Sequence, residues 1–345
     1  MSRHVNIPIF IPHLGCPNTC VFCNQRTISG RMSFDISQTR AEIENALSTV
    51  PEGAQVEIAF FGGSFTGIER DLMVRLLELA YSYVESGRVD SIRCSTRPDY
   101  IDSQVLDILE RYGVRTIELG LQSADETVLL KSSRGHSFAA EELACRQIVE
   151  RGFTLVGQMM IGLPGADIDT ELRTAEFIIR AGASAARVYP TVVFRDTELC
   201  RMYARGEYEP LTLDDAVARA AAVVRRLREG GVRVIRVGLC SSENLASDAT
   251  YAAGPNHPAI GELCENRIYY ERITEAARSL PLNDRSILKV TVSRGDMSKA
   301  VGQRKRNKLL LKETLGVLDV VFLESDGLGA GEISVRAEEG EKKCI

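Results

Sequence analysis

The sequence predicts an α/β protein, a partial (β/α)6 TIM-like barrel followed by a small α/β C-terminal unit. Two observations carry that expectation. Short apolar, β-branched runs alternate with helix-period segments about six times, and beyond Gly238 that rhythm gives way to a turn-rich stretch. Runs without polar alternation belong to strands buried on both faces, and strands separated by helices need crossover connections that make neighbours parallel. In such a fold chemistry gathers in the loops that follow the strands.

The expected strands are Val5 to Ile11, Val56 to Phe61, Ser91 to Ser95, Thr116 to Leu121, Leu155 to Ile161 and Ala186 to Val193. Between them run helices from Ser37 to Thr49, Arg70 to Val84, Ser103 to Arg111, Ala139 to Arg151 and Asp169 to Ala181, several opened by Ser or Asp caps. Leu213 to Glu229 adds a helix and Val232 to Val237 a closing strand. The turn formers Gly254, Pro255, Asn256 and Pro258 mark a boundary, so residues 1–240 are expected as the barrel and 241–345 as an accessory unit. The stretch from Ala253 to Glu262 is a surface loop or a cap over the barrel mouth.

With 345 residues and 44% hydrophobic side chains, the chain can bury a core without disulfide staples. The first apolar stretch, Val5 to Leu14, is interrupted by Asn6, Pro8, Pro12 and His13 and is too short to span a membrane, so a cytoplasmic protein is expected. A reducing cytoplasm leaves the nine cysteines as thiols, which points to metal ligation or catalysis. The net charge of -5 says little about partners, because it conceals a local reversal near the C-terminus.

The loop after the first strand reads Cys16-Pro17-Asn18-Thr19-Cys20-Val21-Phe22-Cys23. Three soft thiolates on one tight loop can hold three corners of a cubane 4Fe-4S cluster, leaving one iron open to a cofactor or substrate. A zinc site would want a fourth ligand or a second C-x-x-C pair. The sequence has no such pair, and His13 goes with the end of the first strand rather than with the cysteine loop. Cys94, Cys145, Cys200, Cys240, Cys264 and Cys344 stand isolated and read as small core hydrophobes.

These residues resemble the radical S-adenosylmethionine superfamily, and further segments sharpen the likeness. They are Phe61-Gly62-Gly63-Ser64-Phe65, Ser95-Thr96-Arg97-Pro98-Asp99, Glu118-Leu119-Gly120-Leu121-Gln122-Ser123, Arg134-Gly135-His136, Gly162-Leu163-Pro164-Gly165 and Arg187-Val188-Tyr189-Pro190-Thr191. Their order is similar to the radical domain of the elongator catalytic subunit, a transfer-RNA-modifying branch, with oxygen-independent coproporphyrinogen oxidases more distant. The resemblance spans about residues 5 to 240. It implies that the open iron binds S-adenosylmethionine, that an external donor supplies an electron, and that cleavage yields a 5'-deoxyadenosyl radical. It further implies cofactor contacts at Gly62, Gly63, Ser64, Ser95 and Gln122, an adenine flanked by Phe22 and by Ile161, Gly162 and Leu163, and a methionine carboxylate held by Arg146. Glu118 and Arg97 reach the barrel mouth or form a structural ion pair, and His136 packs, caps or catalyses.

Between Arg285 and Lys312 stand nine basic residues and one acidic one, Asp296. Arg304, Lys305, Arg306 and Lys308 open a helix there and can meet phosphates or form a solvated face. The order of strand, short helix, Gly302-Gln303-Arg304-Lys305, helix and strand is similar to a KH unit, which clamps a nucleotide backbone with a Gly-x-x-Gly loop; Lys305 replaces the second glycine. The elongator branch also carries an acetyltransferase domain. About a hundred residues remain after the barrel, and Gly327-Leu328-Gly329-Ala330-Gly331 lies too near the end to open that fold, so acetyl transfer is not expected.

The leading reading is therefore a radical enzyme modifying RNA, plausibly a transfer-RNA base. A second keeps the radical but moves it to a small molecule such as a porphyrin. A third is a cluster-bearing regulatory or RNA-binding protein that does not cleave its cofactor. The oligomeric state is left open.

Overall fold

The computed structural model describes residues 4–11, 16, 20–23, 35–239 and 249–340. The barrel strands are β1 (His4–Phe10), β2 (Gln55–Phe61), β3 (Ser91–Thr96), β4 (Val114–Gln122), β5 (Thr154–Ile161) and β6 (Ala185–Pro190); after the short β7 (Val193–Phe194) comes β8 (Arg233–Val237). All but β7 join one parallel sheet in the order β1-β2-β3-β4-β5-β6-β8, so β1 and β8 are its edges and the barrel stays open. The inner strands are covered on both faces: Val56 to Phe60 are all buried, Glu57 among them, and Phe60 stacks on Phe65 at 4.4 Å.

The crossover helices are α1 (Ile36–Leu47), α2 (Arg70–Glu85), α3 (Ser103–Arg111), α4 (Glu126–Lys131), α5 (Phe138–Glu150) and α6 (Ile168–Arg180), followed by α7 (Glu198–Ala204) and α8 (Leu213–Glu229). Polar caps fix where they begin. The Asp102 side chain accepts from Val105 N, Ser137 from Ala140 N and Thr212 from Asp215 N, while Asp167 and Thr170 form a reciprocal capping box. The expected elements lie within about two residues of these, with one difference. The run to Val193 breaks after Pro190, where Thr191 donates from both its backbone N and its hydroxyl to Ile161 O. β7 then pairs antiparallel with β9 (Tyr251–Ala253). The turn-rich stretch after 253 thus follows a small two-stranded ribbon, and part of it opens a helix, α9 (Ile260–Ala277).

The chain divides into two compact units. One comprises the barrel with residues 226–256, the other residues 217–225 and the chain from His257 on. The second unit's sheet has β10 (Ser286–Ser293) at its centre, β11 (Asp319–Ser325) parallel on one side and β12 (Ile333–Glu339) antiparallel on the other. Between β10 and β11 run α10 (Met297–Val301), a 3-10 turn Gln303–Lys305 and α11 (Arg306–Leu315). Leu288, Val290, Val292, Ile273, Leu311 and Val320 form its dry core. The segment 327–331 is the turn before β12, with Gly329 N held by Glu332 and Gly331 N by Asp296. Among the described residues no helix is long and apolar enough to cross a membrane.

Candidate functional site

Alternation along a strand sends every second side chain to one face. On β3 this aligns Ser91, Arg93 and Ser95, with Arg97 just past its end; on β4 it aligns Thr116, Glu118, Gly120 and Gln122. Lower on this face runs a buried ion-pair chain across four strands. Glu57 takes Arg93 Nη2 at 2.9 Å, Arg93 Nη1 donates to Glu118 at 2.7 Å, and Arg187 Nε donates to the other Glu118 oxygen at 2.8 Å. Burial is the largest single influence and opposes charge on Glu57, but Arg93, Ser91 and His4 together outweigh it and hold the carboxyl below its usual range. Glu118 and Arg97 are therefore not partners of each other.

At the strand ends the cysteine loop meets the glycine segment. Cys16 Sγ lies 3.4 Å from Ser64 Oγ, and Cys23 N donates to Cys20 O at 3.0 Å in a tight turn. Cys20 is buried, with Cys16 and Cys23 half-buried. Pro17 to Thr19 lie outside the described residues, as do His13, Cys240 and Cys344. Gly62 and Gly63 both take positive φ, +85° and +64°, and a Cβ on Gly62 would sit 3.1 Å from Ile11 O, so the chain there admits no side chain without strain. Ser64 is fully buried, Ser95 half-buried. Gln122 is buried at φ +72° beyond a bulge in β4, and its Oε1 has no donor among the described residues.

Phe22 packs with Val21, Val193, Leu199 and Tyr208. Ile161 and Leu163 are buried, and the backbone of Gly162 is held from both sides: its N donates to Glu171 at 2.7 Å and its O accepts from Tyr208 OH at 2.6 Å. Tyr208 thereby ties Phe22 and residues 161–163 into one locality. Arg146 is exposed on α5 and not joined to this group by any hydrogen bond or ion pair among the described residues.

Sequence reasoning missed what surrounds Cys20. Arg134 Nη1 donates to Cys20 Sγ at 3.2 Å, and Arg97 Nη1 points to the same sulfur at 3.7 Å, both guanidiniums buried. Asp99 clamps Arg97 through two hydrogen bonds of 2.9 and 3.0 Å. His136 lies between Asp99, 3.4 Å away, and Glu141, 3.0 Å away. Burial works against each charge. The hydrogen bonds from His136 and Arg97 nonetheless hold Asp99 well below the usual carboxylate range, and Asp99 and Glu141 raise His136. Glu141, fully buried, is pushed up to about 7 by desolvation. The signals were the Ser95-Thr96-Arg97-Pro98-Asp99 and Arg134-Gly135-His136 segments; nothing local connects Arg134 to a cysteine 114 residues earlier.

The donor set suits a thiolate-bound cluster. Arg134 has no carboxylate partner among the described residues, and a buried unpaired guanidinium is costly unless an anion faces it. A cluster ligated through Cys20 would supply that negative charge. No three His, Cys, Asp or Glu among the described residues converge as they do on a single metal ion; in a cubane each thiolate binds its own iron. The isolated cysteines behave otherwise: Cys94 and Cys145 are buried, and desolvation pushes both thiols up to about 12.

Two family models match in succession, "Radical SAM superfamily" over residues 10–178 and "Radical_SAM C-terminal domain" over 183–270. The chain belongs to the radical S-adenosylmethionine superfamily. An uncharacterized protein of Methanocaldococcus jannaschii is 29% identical over 61% of this chain and 67% of its own. The tRNA uridine(34) acetyltransferase of Methanocaldococcus infernus is 27% identical over 55% of this chain; the match spans only 40% of that enzyme. The structure of archaeal Elp3 from Methanocaldococcus infernus, truncated at its N-terminus, superposes with a TM-score of 0.63 at 20% identity, over 83% of this chain and 67% of that one, which shows a shared fold. The protein is a radical enzyme whose cofactors are a 4Fe-4S cluster and S-adenosylmethionine. The non-catalytic reading falls away.

Proposed function

We propose that this enzyme modifies RNA in the cytoplasm, with a transfer-RNA base as substrate, using a cluster held by Cys16, Cys20 and Cys23. S-adenosylmethionine would lie along Gly62, Gly63, Ser64, Ser95 and Gln122, whose orphaned Oε1 suits a hydroxyl or ammonium donor, with adenine between Phe22 and residues 161–163. A cluster held by Cys16, Cys20 and Cys23 would supply one-electron reduction of a bound S-adenosylmethionine, the electron coming from an external donor, and so start radical chemistry on the substrate. The protein's part is to position the reactants and exclude water from the polar barrel face.

The observation that carries the RNA assignment is the loop of the second unit. Gly302, Arg304 and Lys305 take φ of +77°, +53° and +62°, so two consecutive non-glycine residues occupy the left-handed region. Lys305 thus holds a left-handed conformation that glycine would adopt without cost. A Cβ on Gly302 would come within 3.0 Å of Asn307 N, and buried Asn307 pins the loop through its Nδ2 to Asn266 O at 2.7 Å. Arg304 and Lys305 are exposed and have no acidic partner among the described residues. A cleft of about 500 Å³ adjoins the loop, its lining mixing Met297, Val301 and Gly302 with Ser298, Gln303 and the carboxylates Glu262 and Glu324, and its apolar part would face bases. The relative named for tRNA uridine(34) supports the same substrate class.

The test is anaerobic turnover with reconstituted protein, dithionite and S-adenosylmethionine, with and without bulk tRNA, quantifying 5'-deoxyadenosine and methionine. A Cys16→Ala, Cys20→Ala, Cys23→Ala chain is the control. Stimulation by tRNA, with a mass change in its nucleosides, is expected. Turnover that is indifferent to RNA and rises with a small metabolite would overturn the assignment.

A further inference from the structure

We infer that Arg134, backed by Arg97, sets the reduction potential of the cluster through the sulfur of Cys20; the inference rests on Cys20 being a ligand. The two guanidiniums differ in charge balance. Arg97 is neutralised by Asp99, so the pair presents little net charge to the sulfur. Arg134 is in no ion pair among the described residues, and the one carboxyl that feels its charge, Glu141, is pushed up to about 7 by burial. Its Nη1 meets Cys20 Sγ at 3.2 Å, its Nη2 donates to Gly120 O at 2.5 Å, and its Nε finds no acceptor among the described residues. Gly120 precedes Gln122 on the strand end that is to receive the cofactor, so β4 holds the arginine in place from the cofactor side. Arg97 braces it from behind by donating to the Arg134 carbonyl.

A hydrogen bond to a cluster sulfur withdraws electron density, and a nearby cation stabilises the form with one more electron. With both groups 4% exposed, water screens neither effect. The reduced cluster is more negative by one charge than the oxidised one, so Arg134 favours it and raises the potential. The electron comes from an external one-electron reductant and stays on the cluster until S-adenosylmethionine accepts it. Arg134 is a positioning residue: it touches the ligand sulfur, not the reacting atoms.

The test is an anaerobic redox titration of the full chain, reconstituted without S-adenosylmethionine, following the reduced cluster by electron paramagnetic resonance. Arg134→Gln is expected to lower the ratio of reduced to oxidised cluster at a fixed potential about tenfold, which for one electron is a shift of about 59 mV to more negative potential. Arg134→Lys keeps the charge without the planar fork and is expected to shift less in the same direction. Removing the Arg97 pair as Arg97→Gln with Asp99→Asn deletes no net charge and is expected to shift less than Arg134→Gln. If Arg134→Gln does not assemble a cluster, Arg134→Lys carries the test. A midpoint equal to wild type in every variant that holds a full cluster reduces Arg134 to a packing role and overturns the inference. Iron and sulfide content of Cys20→Ala tests the ligand assignment separately, since a full cluster there would remove the premise without any titration.

Discussion

Glu141 makes a titration out of burial. Its side chain has no exposure, one oxygen faces His136, and the other has no partner among the described residues. With its pKa pushed up from the ordinary value of 4.5 to about 7, the native state binds a proton that the unfolded chain has already released between those limits. Stability therefore falls as pH rises across that window, by at most about 1.4 kcal/mol per pH unit, and levels off above it. His136, raised by its carboxylate neighbours, acts in the same direction at higher pH. Glu141→Gln should abolish the acid-side part of the slope. Urea denaturation at pH 5 to 8 should show the wild type losing ground to the variant up to about 7, with a further divergence above it only from His136, which in the variant keeps Asp99 alone as a carboxylate neighbour; parallel curves throughout would mean that Glu141 ionises normally. Residues such as these mark where reading the sequence stops. The cysteine triad was legible because its spacing is local, whereas Arg134, Asp99 and Glu141 reach Cys20 only through the turn of three strands and two helices.

At the level of elements the loop 302–305 offers a separation of stability from binding. Holding a lysine at φ +62° costs about 1 kcal/mol relative to glycine, because Cβ crowds the following carbonyl. Lys305→Gly should relieve that strain, raising stability by about 1 kcal/mol in thermal unfolding, while weakening RNA binding through loss of one cation. A residue retained only for packing would give the first effect without the second. The parallel strands and their helices were readable because alternation of period 2 and 3.6 is a short-range signal reinforced by caps. β12 was not: Ile333, Val335 and Ala337 alternate with polar residues, but the glycines at 327, 329 and 331 drew attention to a phosphate loop and concealed a turn. α9 was hidden similarly, since its buried Ile260, Cys264, Ile268 and Ile273 are interleaved with charges that read as loop.

For the molecule as a whole, one unit has the cysteine loop and the other the exposed Arg304 and Lys305, so the proposed capture of RNA is separable from radical generation by ionic strength. Radical generation depends on thiolates and buried pairs that salt barely screens, whereas phosphate contacts release counterions. Each contact to a single strand contributes about 0.7 to the slope of log affinity against log salt, so Arg304→Gln with Lys305→Gln should flatten that slope by about 1.4. Cluster content, and S-adenosylmethionine binding measured without RNA, should stay as in the wild type, because neither residue belongs to the barrel unit. Titrating a fluorescent single-stranded RNA with the full chain at 50 to 300 mM salt decides it. An unchanged slope with weaker binding would mean that the loop shapes the cleft rather than meeting phosphates, and unchanged binding altogether would place the RNA on another surface. A slope reduced as expected, with cofactor binding intact, would assign capture of the nucleic acid to the second unit and leave the chemistry to the first.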